Sequence, residues 1–213
     1  MNRKKAILLT SLLTFIPMIV GLILWNKLPE ELPVHFDIAG NADQYGSKAF
    51  VVLGIPLVLW ALHLLTGFLI LADPKRQNIN DKVFTLMLYT VPGVGIFCSV
   101  LMYPTALNIP ISVNMIGGLF VGIIFLFIGN YLPKSKQNYT VGIKLPWTLN
   151  DAENWNKTHR FAGVLWTICG VILLVNAFLD FMVLVPVILA AAILLPTAYS
   201  FLLYIRKNKS TED

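Results

Sequence analysis

The chain has 213 residues, of which 57% are hydrophobic and 13% charged, and its mean hydropathy is +0.73. That balance excludes an ordinary soluble domain and identifies a membrane protein. The net charge of +5 arises from basic residues dispersed over separate segments, so it predicts no nucleic-acid partner. Cys98 and Cys169 both sit in apolar stretches and read as packing residues rather than a disulfide framework or a metal site.

Arg3, Lys4 and Lys5 precede an apolar run from Ala6 to Trp25. The run is longer than a signal-peptide core and no small-x-small cleavage pattern follows it, so a retained span is expected. The same criterion gives five more spans, Ala49 to Ala72, Val83 to Tyr103, Val113 to Leu132, Phe161 to Leu179 and Val183 to Ile205, none containing Asp, Glu, Lys or Arg. The expected fold is therefore an all-α membrane protein of six transmembrane helices. Basic residues support the count. With the N-terminus inside, every Lys and Arg falls on the inner side except Lys27 and Lys48, as the positive-inside rule requires. Both termini are then expected to be cytoplasmic. Three regions are expected: residues 1–48, the first helix and an extracytoplasmic loop; 49–112, the second and third helices; and 113–213, the last three helices with a long cytoplasmic loop.

The outer loop, Asn26 to Lys48, alternates Val34, Phe36 and Ile38 with His35 and Asp37, which predicts a short strand followed by a turn at Gly40 and Asn41. His35, Asp37 and Asp43 have donor atoms suited to a cation, but the spacing matches no established metal motif, and no metal or cofactor is expected. Pro17, Pro56, Pro92, Pro186 and Pro196 predict kinks, and Gly118, Gly122 and Gly129 predict close helix packing. His63 lies about 21 Å along its helix from Ala49, near the bilayer midplane. It is either part of a polar relay or a neutral imidazole bonded to a neighbouring hydroxyl or carbonyl.

Asn130 to Gly163 is the long polar and aromatic insert, expected on the cytoplasmic side with a short helix. Pro133 ends the preceding span. Thr148 with Asp151, or Asn150 with Glu153, has capping-box spacing for the helix that follows. Trp155, Thr158, His159 and Ala162 share one face of it. Belt and topology roles explain Trp147, Trp155, Lys144, Lys157 and Arg160 singly, but not their concentration with Asn130, Asn138 and His159. No carboxylate pair lies within the spans, and HExxH, GxSxG and phosphate-binding glycine loops are absent, so no enzyme activity is expected.

Gly129, Asn130, Leu132, Pro133 and Lys134, then Asn138, Gly142 and Ile143, then Pro146 to Leu149, then Trp155 to Arg160 with Gly163 resemble the SdpI family of bacterial membrane immunity proteins. The outer loop, with Leu28, Pro29, Pro33, His35, Gly40, Asp43 and Gly46 to Lys48, looks like the small N-terminal domain of many members. The resemblance implies a multi-pass protein of the bacterial plasma membrane that gives protection against a secreted toxic peptide and signals through a cytoplasmic repressor. Together with the reading of the residues, it directs partner binding to Asn130, Pro133, Lys134, Asn138, Gly142, Pro146, Trp147, Trp155, Thr158, His159 and Arg160, and outer recognition to Pro33, His35, Asp37 and Asp43. The alternative is a small transporter or lipid-handling protein using His63 and the kinked helices.

Overall fold

A computed structural model describes residues 2–181 and 183–209. Among them are six helices long and apolar enough to cross a membrane: Arg3–Ile23, Phe50–Ala72, Asp81–Ala106, Val113–Lys134, Ala152–Leu179 and Leu184–Asn208. The chain divides into two compact units, Met1–Leu71 with Phe84–Ile116, and Ala72–Val83 with Gly117–Asp213.

In the first unit, α1 (Arg3–Ser11) is capped by Asn2, whose side chain accepts from the Lys4 N–H at 3.0 Å. A 3-10 turn over Leu12–Phe15 then leads into α2 (Ile16–Ile23), with Pro17 in its first turn, where a missing N–H costs least. A π-helical turn, Phe50–Gly54, precedes Pro56 and opens α3 (Ile55–Ala72). Proline also lies inside α4 (Asp81–Ala106), at Pro92 and Pro104. Gly21 lets these helices meet: a Cβ there would stand 2.7 Å from the Tyr103 hydroxyl and from a Val52 methyl. The Tyr103 hydroxyl donates to the Pro17 carbonyl at 2.9 Å.

Between α2 and α3 lies an antiparallel hairpin, β1 (Glu31–Phe36) and β2 (Ala42–Ser47). The sequence places the strand at Val34 to Ile38, but the ladder ends at Phe36 and Ile38 is 80% exposed. The Asp37 carboxylate takes the Asn41 N–H at 2.8 Å, and this closes the chain into a turn through Gly40 at φ +82°. Leu32 packs with Leu28, Val51, Val52 and Tyr103. Lys48 is only 7% exposed; its ammonium lies 2.8 Å from Glu30 and 3.2 Å from the Leu28 carbonyl, a buried charge held because it is paired.

In the second unit, α5 (Val113–Tyr131) packs on α7 (Ala152–Leu179), which turns at Asp180, in the left-handed conformation, towards α8 (Leu184–Lys209). The expected glycine packing is present. Gly118 faces Ala177, Gly122 faces Leu174 and Gly170, and Gly129 faces Gly163 and Thr167. The cap of α7 differs from both sequence alternatives: Asp151 accepts from the Glu153 and Asn154 N–H groups. Thr148 is engaged in a short helix of its own, α6 (Pro146–Asn150), where its hydroxyl accepts from the Leu145 N–H at 2.9 Å, and the Asn150 amide bonds the Pro146 carbonyl.

A Cβ on Gly163 would fall 2.6 Å from Pro133 Cδ and 2.8 Å from the Gly129 carbonyl. Gly163→Val should therefore destabilise the protein by about 1–3 kcal/mol, lowering the unfolding temperature of detergent-solubilised protein. Gly117→Ala, where nothing lies within 4 Å, should not lower it.

Candidate functional site

The loop from Leu132 to Asn150 leaves α5 through a 3-10 turn at Pro133 and has no regular secondary structure before α6. Side chains take over the role of the missing backbone ladder. The Asn138 Oδ1 accepts from the Thr140 and Val141 N–H groups at 2.9 and 2.6 Å, while its Nδ2 donates to the Lys136 and Val141 carbonyls. The buried Asp73, in the connection between α3 and α4, accepts from the Lys75 and Tyr139 N–H groups and from the Thr140 hydroxyl at 2.5 Å. Gln137 donates to the Thr148 and Leu149 carbonyls and accepts from the Lys75 ammonium at 2.8 Å. Asn78 and Asn80 donate to the Gln137 and Lys134 carbonyls.

The opposite wall is the first turn of α7 and the end of α8. Trp155 is fully buried, donates from Nε1 to the Ser135 carbonyl at 2.8 Å, and stacks on His159 with ring centroids 4.0 Å apart. His159 Nε2 accepts the Ile143 N–H at 2.9 Å, so the imidazole proton sits on Nδ1 and is donated to the Trp155 carbonyl at 2.8 Å. Gly142, at φ +123°, lies against this ring pair; its Cβ would come 2.9 Å from Trp155 ring atoms, so only glycine fits. The Thr158 hydroxyl donates to Asn154, whose amide donates to the Ser200 carbonyl, and Trp147 Nε1 donates to the Ser200 hydroxyl at 2.8 Å.

Electrostatics joins the same ends. Asp151 lies 2.9 Å from Lys207. Burial opposes its ionisation, but the hydrogen bond from Lys207 and the Asn154 and Glu153 N–H groups outweigh it and hold its carboxyl below the usual range.

The SdpI/YfhL protein family model matches residues 134–200, and the model described as Domain of unknown function (DUF1648) matches residues 12–59. Immunity protein SdpI of Bacillus subtilis (strain 168) is 26% identical over 215 residues, covering 97% of this chain and 99% of that protein. The chain is thus similar to the SdpI/YfhL family over residues 134–200 and to one immunity protein along nearly its whole length. It is a multi-pass protein of the bacterial cell membrane. No solved structure matches it.

The SdpI match begins at Lys134, at the head of this hydrogen-bonded loop, and runs through α6 and α7 to Ser200 in α8, leaving the Asp73 connection outside it. Of the residues singled out from sequence, Asn138, Trp155, Thr158 and His159 meet in its interior, fully or almost fully buried, while Trp147 is half-buried and Gly142 is packed against Trp155. Asn130, Pro133, Lys134, Pro146 and Arg160 are exposed around it; Asn130 accepts from the Lys134 ammonium at 3.0 Å. Sequence reading missed Asp73, Gln137, Asn154 and Ser200. The one signal was an acid next to Pro74 in an otherwise basic connection.

In the hairpin, Pro33 is buried, and His35 Nδ1 lies 2.6 Å from an Asp43 oxygen. Asp37 is committed to Asn41, so the three expected donors do not converge as a set; among the described residues no group of three or more His, Cys, Asp or Glu is placed to hold a metal ion. His63 is buried against α1, its Nε2 3.0 Å from the Thr10 hydroxyl and 3.3 Å from the Ile7 carbonyl.

Asp73→Ala strands two N–H groups and a hydroxyl and should cost about 2–3 kcal/mol, with faster amide hydrogen exchange at Tyr139 and Val141. Unchanged protection would remove Asp73 as the anchor. For Asp151 the folded pKa is depressed below 3.8. Its contribution is complete above that value and is lost as pH falls through the lower folded pKa. Release of the α8 end, followed by a spin label near Lys207, should therefore appear only as pH falls below 3.8 in the parent protein and be present already at neutral pH in Lys207→Ala.

Proposed function

We propose that the protein is a membrane immunity protein that protects its cell against a secreted toxic peptide. The carrying observation is the likeness to a protein named Immunity protein SdpI along nearly the whole length of both chains. The distribution of Lys and Arg supports an orientation with both termini and the Leu132 to Asn150 loop in the cytosol and the β1–β2 hairpin outside. In this reading the hairpin meets the toxin. The cytosolic loop, with its buried polar interior, is a rigid platform whose exposed Lys136, Lys144 and Arg160 hold an acidic surface of a cytoplasmic regulator. The chemistry is recognition. In the arrangement described, both His159 nitrogens are engaged, so its lone pair is not offered to a substrate.

A transport or lipid-handling reading is favoured by one observation: His63 Nδ1 is buried without a partner among the described residues. On that reading His63→Ala abolishes flux in reconstituted vesicles, and the parent protein shows flux.

Expression in a sensitive strain should raise survival on exposure to a killing peptide. Lys144→Glu with Arg160→Glu should abolish signalling to the regulator at equal membrane abundance, because both side chains are exposed and, among the described residues, the only bond at stake is the one from the Lys144 ammonium to the Thr140 carbonyl. No gain in survival with the parent protein overturns the immunity reading. Labelling of a cysteine at position 144 by an impermeant reagent from outside intact cells overturns the orientation.

A further inference from the structure

The hairpin has two edges, and they are not equivalent. The Lys48 N–H bonds the Glu30 carbonyl at 2.7 Å and continues the ladder past Glu31↔Ser47 to one more pair. In an antiparallel pair, hydrogen-bonded and non-hydrogen-bonded positions alternate. Leu32 and Gly46 therefore face each other through their backbone groups, while Glu31, Pro33, Tyr45 and Ser47 turn theirs outward. On β1 the outward edge is broken by Pro33, which has no N–H to give, the usual way an edge strand is protected from pairing. On β2 the outward positions Tyr45 and Ser47 keep their N–H groups; beyond them, register shifts between Pro33 and His35 and between His35 and Phe36 interrupt the alternation. Tyr45 and Ser47 are both exposed, Tyr45 by 57%.

Charge selects among extended partners. The segment from Asn26 to Lys48 carries Glu30, Glu31, Asp37 and Asp43 against Lys27 and Lys48. Lys48 and Glu30 neutralise each other at 2.8 Å, leaving Glu31, Asp37 and Asp43 against Lys27, so the hairpin stays net acidic, with Asp43 on the open strand 2.6 Å from His35 Nδ1. We propose that the free edge of β2 takes up an extended peptide carrying basic side chains as a third strand, with Tyr45 packing on its apolar residues and Asp43 meeting its cations. The inference rests on the immunity reading only for the peptide's biological source; the docking geometry stands on the hairpin itself.

The test uses the full-length protein in lipid nanodiscs and a synthetic peptide of alternating lysine and valine long enough to span β2. Two versions are N-methylated on alternate amides, one set on each edge. Binding should be lost by about tenfold or more for the version methylated on the edge that pairs with β2, and kept for the other. A glutamate–valine peptide should bind more weakly than the lysine form. Tyr45→Pro, which removes an outward N–H where an edge tolerates proline, should weaken binding to a similar extent with the far-ultraviolet spectrum unchanged. Equal binding of both methylated versions, no binding of the parent peptide, or disulfide cross-linking of Tyr45→Cys between two copies of the chain would each overturn the proposal. In the killing assay, full protection by Tyr45→Pro discards the edge and leaves the immunity reading standing. Absence of protection by the parent discards that reading, and the nanodisc measurement still decides the edge.

Discussion

The hydrogen bond from the Ile143 N–H to His159 Nε2 permits one tautomer only, and much of the second unit's polar end is arranged around that restriction. With the proton confined to Nδ1, the ring is fixed towards the Trp155 carbonyl one helical turn away, and it lies flat on the indole. The indole in turn reaches the Ser135 carbonyl, so the start of the loop, its middle and the first turn of α7 meet at one pair of rings. The chain passes this pair only because Gly142 has no Cβ. A charged imidazole would set a second donor against the Ile143 N–H, so the arrangement also requires the ring to be neutral.

The larger constraint is the accounting of backbone groups near the membrane. A loop of this length with neither helix nor strand must find partners for its N–H and C=O groups in side chains. Asn138, Asp73, Gln137 and Thr148 supply them, and each satisfies several groups at once. Asp73 and Gln137 act across long sequence separations, which makes the short connection between α3 and α4 a structural part of the loop. Such a network favours a single geometry, because its polar atoms are already committed to one another. The hairpin has the opposite character. Its core side is fixed by Leu32 and Lys48, while β2 leaves a row of backbone groups facing away.

The spans, the glycine contacts and the hairpin turn were readable because each depends on residues near in sequence: hydropathy over one helix length, small residues at helical spacing, an Asp and an Asn around Gly40. Cap assignment at α7 failed for a local reason as well. Thr148 has the right spacing to cap α7 but is already used by α6, a helix too short to leave a periodic signal. The network was harder to read. Asn138, Thr158 and His159 stood out as polar and aromatic groups concentrated beyond what anchoring requires, and the structure puts them inside. Polar side chains chosen to satisfy a buried loop and those chosen to touch a partner are the same residue types; only burial separates them. Asp73 and Ser200 gain their roles from partners in distant parts of the sequence, and no window along the chain contains both ends of those bonds.

His63 shows how a tautomer argument separates two buried histidines that look alike in sequence. The Thr10 hydroxyl donates back to the Ala6 carbonyl at 2.8 Å, and the Ile7 carbonyl lies 3.3 Å from His63 Nε2. An imidazole nitrogen facing a carbonyl and a hydroxyl whose proton is already spent must be the donor. The lone pair is then on Nδ1, which has no partner among the described residues. Leaving such an acceptor buried and unmatched costs about 1–3 kcal/mol, a cost that His159 avoids by taking the Ile143 N–H. The hydroxyl pairing expected of a structural histidine is present on one nitrogen of His63. The other nitrogen has no partner among the described residues, which distinguishes His63 from the doubly engaged His159.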